Sequence, residues 1–336
     1  MPPVERDPAN PILAPIQGLA WANKKIYNAA IAHEDGTFHM VFRAMGDDWT
    51  SRLGYARSSD GVKFEVDPEP VMSPSFSWDA NGCEDPRVTR VDGTLHVVYT
   101  AWDGRAACLA MAETDDWHTF TDRRLVLPDW RLGYWQKLVS GPRGWSKAGA
   151  LFPSRLHGQY GMLFGDADIW YAHSDDLRAW TGRVEPVLSA REGHFDAGYV
   201  EMGPPPLRTD EGWLVLYHGI DKREDVPGAF RVYRLGAALL DLDEPWHVRW
   251  RCQTPLLEPV TPYEAVGLID LIPGALEELR TMTPRNLEEK AAAGMLASAI
   301  FCCGAIEVDG RLSLYYSGSD TVMCLARTTV HDVLRT

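Results

Sequence analysis

The side chains with chemical potential recur at one kind of place in this chain, eight or eleven residues before a turn glycine. Counting back gives Asn28 (eight before Gly36), Asp85 (eight before Gly93), Lys147 (eleven before Gly158), Glu201 (eleven before Gly212) and Cys302 (eight before Gly310). Four of these five are polar or charged, and apolar stretches (AAIA, VTRV, ALF, PPPL, AIEV) follow them, so they are not ordinary solvated surface. A second tier comes just after the aromatic residue of the next strand: Arg43, Trp102 and Asp103, Asp166, His218 and Asp320. Gathered together, these residues make a carboxylate-rich hollow with a Lys, an Arg, a His and Trp faces. That is the composition of a sugar pocket, with paired acids for glycosidic chemistry, hydrogen-bonding groups for hydroxyls and aromatic planes for rings. The competing reading is a buried ring of ion pairs that only closes a channel.

The elements that must position these residues are visible as a repeat. Five times a Gly-containing turn precedes a short apolar or aromatic run: Asp35-Gly36 before FHMVFRA, Asp92-Gly93 before LHVVYTA, His157-Gly158 before YGMLFGD, Glu211-Gly212 before WLVLYHG and Asp309-Gly310 before LSLYYSG. Asp-Gly between β-rich runs signals a hairpin, because the tight turn wants positive φ. The copies align on Phe42, Tyr99, Phe164, Tyr217 and Tyr316, and three continue into a run that ends in Ala and a Ser/Thr-Asp turn (LGYARSSDG, LAMAETDD, IWYAHSDD). Each unit reads as a meander of about four strands, and repeats of roughly 50 to 65 residues with this content match propeller blades. The expected fold is all-β: one five-bladed β-propeller spanning residues 1–336, whose innermost strands line a central channel. The long interval between Tyr217 and Tyr316 predicts a helical insert over 268–296, with Thr283 as N-cap, Pro284 at the first helical position and Gly294 as terminator.

Composition narrows the partners. Forty-seven acidic against 33 basic residues give a net charge of −14, and no Lys/Arg run breaks it, so nucleic acid and anionic membrane are poor partners. No stretch approaches the roughly 18 to 20 apolar residues of a membrane span. The start has neither a basic flank nor an apolar run, so the expected location is cytoplasmic. The six cysteines lack CxxC spacing, which argues against a zinc site and fits buried thiols. No metal or other cofactor is expected; a homo-oligomer is compatible with the sequence.

An ordered set of segments resembles glycoside hydrolase family 130, five-bladed propellers that cleave β-mannosides by hydrolysis or phosphorolysis. The set is Asn10-Pro-Ile-Leu, Gly82-Cys-Glu-Asp-Pro-Arg87, Lys147-Ala-Gly-Ala-Leu-Phe-Pro, Gly203-Pro-Pro-Pro, Gly212-Trp-Leu-Val-Leu-Tyr-His-Gly and Tyr233-Arg-Leu-Gly-Ala-Ala-Leu-Leu-Asp-Leu. The resemblance implies that Asp85 is the proton donor, with Glu84 and Arg87 holding its segment and the substrate. Phosphorylases of the family typically carry Asn-Lys-Asp where this chain has Ser146-Lys147-Ala148, and Arg-Pro where it has Gly165-Asp166. Phosphate needs several cations, and replacing an Arg by Asp166 opposes it. Glu201 and Glu264 resemble the glutamates with which hydrolytic members activate water.

The expectation is therefore an inverting β-mannosidase acting on manno-oligosaccharides. Asp85 donates a proton, directly or through a substrate hydroxyl, and Glu201 or Glu264 activates water. Lys147, Arg43 and His218 bind hydroxyls or stabilise charge, with Asn28, Asp103 and Asp166 beside them, and Trp102 forms a sugar platform. Burial beside Glu84 would keep Asp85 protonated, while Arg87 pulls the other way. The first alternative is a mannoside phosphorylase with phosphate held by Arg43, Lys147 and His218. The second is a non-catalytic sugar-binding propeller. The third is a furanosidase of related architecture, in which an Asp would stand where this chain has Asn28.

Overall fold

The computed structural model describes residues 4–133, 143–223, 230–265, 267–268 and 296–336. It is nearly all strand. Blade one pairs its inner strand Lys25–Glu34 with Thr37–Met45, Arg52–Ser58 and Glu65–Val66 in that order. Blade two is Gly82–Val91, Thr94–Trp102, Ala107–Thr114 and Thr121–Val126, and blade three is Ala150–Leu151, Tyr160–Phe164, Trp170–Ser174 and Thr181–Gly182. In blade four the inner strand is split into Tyr199–Met202 and Leu207–Arg208 around Pro204, Pro205 and Pro206, which have no N–H to give a ladder. Trp213–Arg223, Phe230–Leu240 and Val248–Arg251 complete that blade.

Blade five closes the ring with both ends of the chain. Leu296–Val308, Arg311–Gly318 and Val322–Thr328 supply three strands, and the N-terminal Glu5–Arg6 pairs with Ala326–Arg327 as the fourth. Asn10 strengthens the seam, giving its amide hydrogen to the Leu325 carbonyl (2.8 Å) and accepting the Leu325 N–H (2.7 Å). Blades four and five are also stitched by a parallel pairing of Arg231–Tyr233 with Ala297–Ala299. The inner strands of blades one and two, of two and three, and of five and one touch, while blade four meets its neighbours through Tyr199–Met202 against Tyr160–Phe164 and through Phe230–Leu240 against Leu296–Val308.

The turn chemistry explains the repeat. Asp35-Gly36, Asp92-Gly93, His157-Gly158 and Asp309-Gly310 all place both residues at positive φ, the two-residue turn that suits twisted hairpins. The fourth copy differs: the Thr209 hydroxyl accepts the N–H groups of Glu211 and Gly212 there. The core lies between blades, where the aligned aromatics Phe42, Tyr99, Phe164, Tyr217 and Tyr316 are all buried. The predicted helices fall in residues outside those described; bordering them, Gly267–Leu268 pairs antiparallel with Leu296–Ala297. Among the described residues no helix is long and apolar enough to cross a membrane, and no group of three His, Cys, Asp or Glu side chains is placed to hold a metal ion.

Candidate active site

Three inner strands carry a bulge, and in blades one and two the bulges aim the chemistry. In blade one the pairing steps from Tyr27↔Arg43 to Ala30↔Val41, and in blade two from Glu84↔Thr100 to Arg87↔Val98, so two residues face one on the partner strand. Asn28 (φ 47°) and Asp85 (φ 50°) occupy the left-handed region at these bulges, a conformation that costs free energy and persists only where its surroundings over-determine it. Ala148 (φ 53°), beside Lys147, does the same in blade three.

The result is a cavity of about 70 Å3 lined by Asn28, Arg43, Asp85, Lys147, Glu201, Tyr233, Ala299, Phe301 and Asp320. Four inner-strand positions counted from sequence converge there. Asn28 donates to Asp85 Oδ1 at 2.7 Å, and Arg43 reaches the same oxygen at 3.1 Å while binding Glu84 at 2.7 Å. Lys147 Nζ lies 3.3 Å from Asp85 Oδ2 and 3.7 Å from Glu201 Oε1. One ammonium thus bridges two buried carboxylates, whose bridged oxygens are no more than about 7 Å apart, close enough to work on one glycosidic bond.

Charge divides the pair. Burial alone would raise Asp85, but Lys147, Arg43 and the Asn28 hydrogen bond outweigh it and hold the carboxyl well below its usual range. Glu84 adds no protonating push because Arg43 neutralises it. Glu201 goes the other way: burial pushes it up to about 8, Lys147 opposes, and Asp166 and Asp85 add repulsion. Its Oε1 is buried with no hydrogen-bond partner, which leaves Lys147 as a distant counter-charge only. Lys147 is itself raised against the cost of burial by Glu201 and Asp85. These opposite shifts favour Glu201 over Asp85 as the holder of a proton shared by the pair.

The other sequence-predicted residues are placed as follows. Asp166 stands next door, in a small recess it shares with Lys147 and Trp145, and accepts the Trp145 indole N–H at 2.9 Å; burial lifts it to about 6. Arg87 lies beneath the cavity and does not line it. It donates to the carbonyls of Met202 (2.7 Å), Gly203 (2.7 Å) and Asp85 (2.9 Å), so it ties blade two to blade four and holds the segment rather than a ligand. Glu84 is taken up by Arg43 and Ser51.

Four expectations need correction. His218 is fully buried behind Phe301 (rings stacked at 4.1 Å), accepts the Cys302 N–H at 2.8 Å, and is pushed down to about 3 by burial and by Arg87, so it is neutral and offers no cation to phosphate. Trp102 packs edge-on against Trp145 at 6.3 Å, outside the lining. Asp103 caps its own turn, accepting from the amides of Arg105 and Ala106 and pairing with Arg143. Glu264 accepts from Arg6 (2.7 and 3.0 Å), the Tyr316 hydroxyl (2.8 Å) and the amides of Val260 and Thr261 (3.0 Å each). With both oxygens occupied away from the cavity, it is not placed to activate water.

Three lining residues were not singled out from sequence: Tyr233, Ala299 and Phe301. Blade five steps from Cys302↔Tyr316 to Gly304↔Tyr315, a bulge of the same size as those of blades one and two, but neither Cys302 nor Cys303 takes the positive φ of Asn28 and Asp85. In a strand a slip of one residue exchanges faces, so Phe301 lines the cavity while Cys302 is buried away from it. Phe301, backed by His218, is the aromatic plane of this pocket. Phe301→Ala is expected to raise KM for substrate by about tenfold and Trp102→Ala to change it less than about twofold, as steady-state kinetics would show.

The profile of a family described as beta-1,4-mannooligosaccharide phosphorylase matches residues 3–272. The chain belongs to glycoside hydrolase family 130. It is 31% identical to a 1,2-beta-oligomannan phosphorylase of Thermoanaerobacter sp. (strain X514), covering 96% of each chain. It superposes on the beta-1,2-mannobiose phosphorylase of Listeria innocua, solved with beta-1,2-mannobiose, with a TM-score of 0.75 and 25% identity over 99% of this chain and 98% of that one. A second structure, at TM-score 0.76 and 25% identity over 98% and 94%, is described with the words that the GH130 family of mannoside phosphorylases contains glycoside hydrolases that target beta-1,2 mannosidic linkages in Candida mannan. As a family-130 member the chain is an enzyme that acts on β-mannosides.

Proposed function

We propose that this family-130 enzyme hydrolyses β-mannosides, with β-1,2-linked manno-oligosaccharides the first substrates to try. One observation carries the hydrolytic reading: the cavity holds three carboxylates, Asp85, Glu201 and Asp320, and its two cations, Arg43 and Lys147, are already committed to carboxylates. A phosphate dianion entering there meets like charge, while water does not. In this mechanism Asp85 protonates the departing oxygen, directly or through a sugar hydroxyl, and Glu201 takes a proton from the attacking water. The pair shares one proton below about pH 8, resting on Glu201 in the empty site. Substrate must move that proton to Asp85, and drawing Asn28 or Arg43 away onto its own hydroxyls would do so, because these two stabilise the Asp85 carboxylate while Lys147 stabilises both.

Phosphorolysis is the second reading, supported by the activities named for the relatives above and by the presence of Arg43 and Lys147 in the cavity. The two part on a simple assay. Incubation with β-1,2-mannobiose in phosphate-free buffer is expected to release two equivalents of mannose, with no increase when phosphate is added. Cleavage that requires phosphate and yields mannose 1-phosphate would establish phosphorolysis instead.

A further inference from the structure

Glu264 is one member of a device that the fold uses three times. Just ahead of the inner strands of blades two and four, and ahead of the segment that leads to blade five's, the sequence repeats an aromatic, an acid, an alanine and a glycine: Trp78-Asp79-Ala80-Asn81-Gly82, Phe195-Asp196-Ala197-Gly198 and Tyr263-Glu264-Ala265-Val266-Gly267. In each blade the buried acid binds an arginine of the fourth strand, and the aligned tyrosine of the second strand joins them, donating to the acid in blades four and five and accepting from the arginine in blade two. In blade two Arg123 binds Asp79 and the Tyr99 hydroxyl (3.1 Å), and Asp79 also takes the amides of Ser75 (3.0 Å) and Phe76 (2.8 Å). In blade four Tyr217 donates to Asp196 at 2.7 Å and Arg251 binds both, at 2.6 and 3.0 Å. In blade five Tyr316 and Arg6 close on Glu264 at 2.8 and 2.7 Å. Blades one and three carry Phe42 and Phe164 at the tyrosine position instead.

The distribution follows the carboxylates of the pocket. Asp85 lies six residues after Asp79, and Glu201 five after Asp196. Ser319, whose neighbour Asp320 lines the cavity, donates its hydroxyl to the Glu264 carbonyl at 2.6 Å. The two blades with phenylalanine contribute Asn28, Arg43 and Lys147 to that cavity, an amide and two cations. Buried ion pairs contribute little to net stability because desolvation offsets their attraction, so their placement calls for another reason. We propose that the three Tyr–acid–Arg clasps are positioning devices of the active site: each fixes the loop ahead of a pocket-forming strand and so holds Asp85, Glu201 or Asp320 against its neighbours. This rests on the catalytic pair proposed above.

The test uses Tyr99→Phe, Tyr217→Phe and Tyr316→Phe, which remove only a hydroxyl and install the residue that blades one and three already use. For Tyr217→Phe, kcat is expected to fall about tenfold with KM little changed, because a small misplacement of a reacting group is costly. A loosened Glu201 regains solvent, so the alkaline limb of its pH profile should move down by at least about one pH unit. Tyr99→Phe should lower kcat alike, and Tyr316→Phe should chiefly raise KM. A parallel titration of 13C-labelled glutamate carboxyls, with Glu201 assigned through Glu201→Gln, needs no turnover. Should the wild type cleave no mannoside, the function proposed above fails, while the clasp still stands or falls on whether Tyr217→Phe lowers the Glu201 titration point. If Tyr217→Phe does not fold, Arg251→Lys serves the same measurement. Variants that lose only thermal stability, with titration, kcat and KM as in the wild type, would overturn the proposal.

Discussion

Asp85→Asn is expected to lower turnover of β-mannobiose by about 10²–10⁴-fold, the range that a general acid supplies. The loss should shrink for an aryl β-mannoside whose leaving group departs without a proton, and that contrast separates proton donation from mere binding. A structural cost accompanies it. The wild-type carboxylate sits among Lys147, Arg43 and Asn28, and although Lys147 keeps Glu201 and Arg43 keeps Glu84, each loses its nearer or second anion. The sign of its pH dependence follows from the depressed carboxyl. An acid whose folded-state pKa lies below its unfolded value contributes stability above the ordinary carboxylate range and loses it as pH falls toward the depressed value. The stability gap between wild type and Asp85→Asn, followed by urea denaturation, should therefore be full at pH 6 and narrow in strong acid. An Asp85→Asn protein that turns over mannobiose at the wild-type rate would remove Asp85 from the chemistry.

Why Asp85 could be found from sequence and Phe301 could not is a matter of strand register. The Gly turns are local, four of the five with two residues at positive φ, so counting back eight or eleven residues from them locates Asn28, Asp85, Lys147 and Glu201 on or beside neighbouring inner strands. That count carries an assumption about what lies between turn and site. It holds through the bulges of blades one and two, where Asn28 and Asp85 take positive φ, and fails in blade five, whose bulge is of the same size but has no residue in that conformation. Tyr233 enters through the parallel pairing of blade four with blade five, a long-range choice that no window of sequence contains. Asp103 was drawn away from the site by its own neighbouring amides, the usual competition between an aspartate side chain and nearby backbone. Glu264 shows both sides at once. Its segment visibly echoes those of Asp79 and Asp196, but its partner Arg6 is 258 residues away, on the strand that closes the ring.

Glu201→Gln is expected to be the second large effect, and its stability change should run opposite to that of Asp85→Asn. Burial holds the Glu201 carboxyl up to about 8, so the native protein keeps a proton that the unfolded chain has released, from the ordinary glutamate range up to that value. Where the native state binds more protons than the unfolded one, stability falls as pH rises. Glutamine has no proton to lose and places no charge beside Asp85 and Asp166. At pH 5 the variant and wild type should differ little, whereas at pH 9 the variant should be the more stable, as thermal melts at the two values would show. Activity should fall by about 10²–10⁴-fold if Glu201 activates water. Added azide or formate, small nucleophiles that need no base, should restore part of it. Phosphate is a nucleophile of the same kind, which makes the variant a second arbiter of the reaction. If Glu201→Gln keeps or gains phosphate-dependent cleavage, the reaction does not need Glu201 as a base and the enzyme is a phosphorylase. If turnover is lost with and without phosphate and returns with azide, water is the natural nucleophile and Glu201 is the group that activates it.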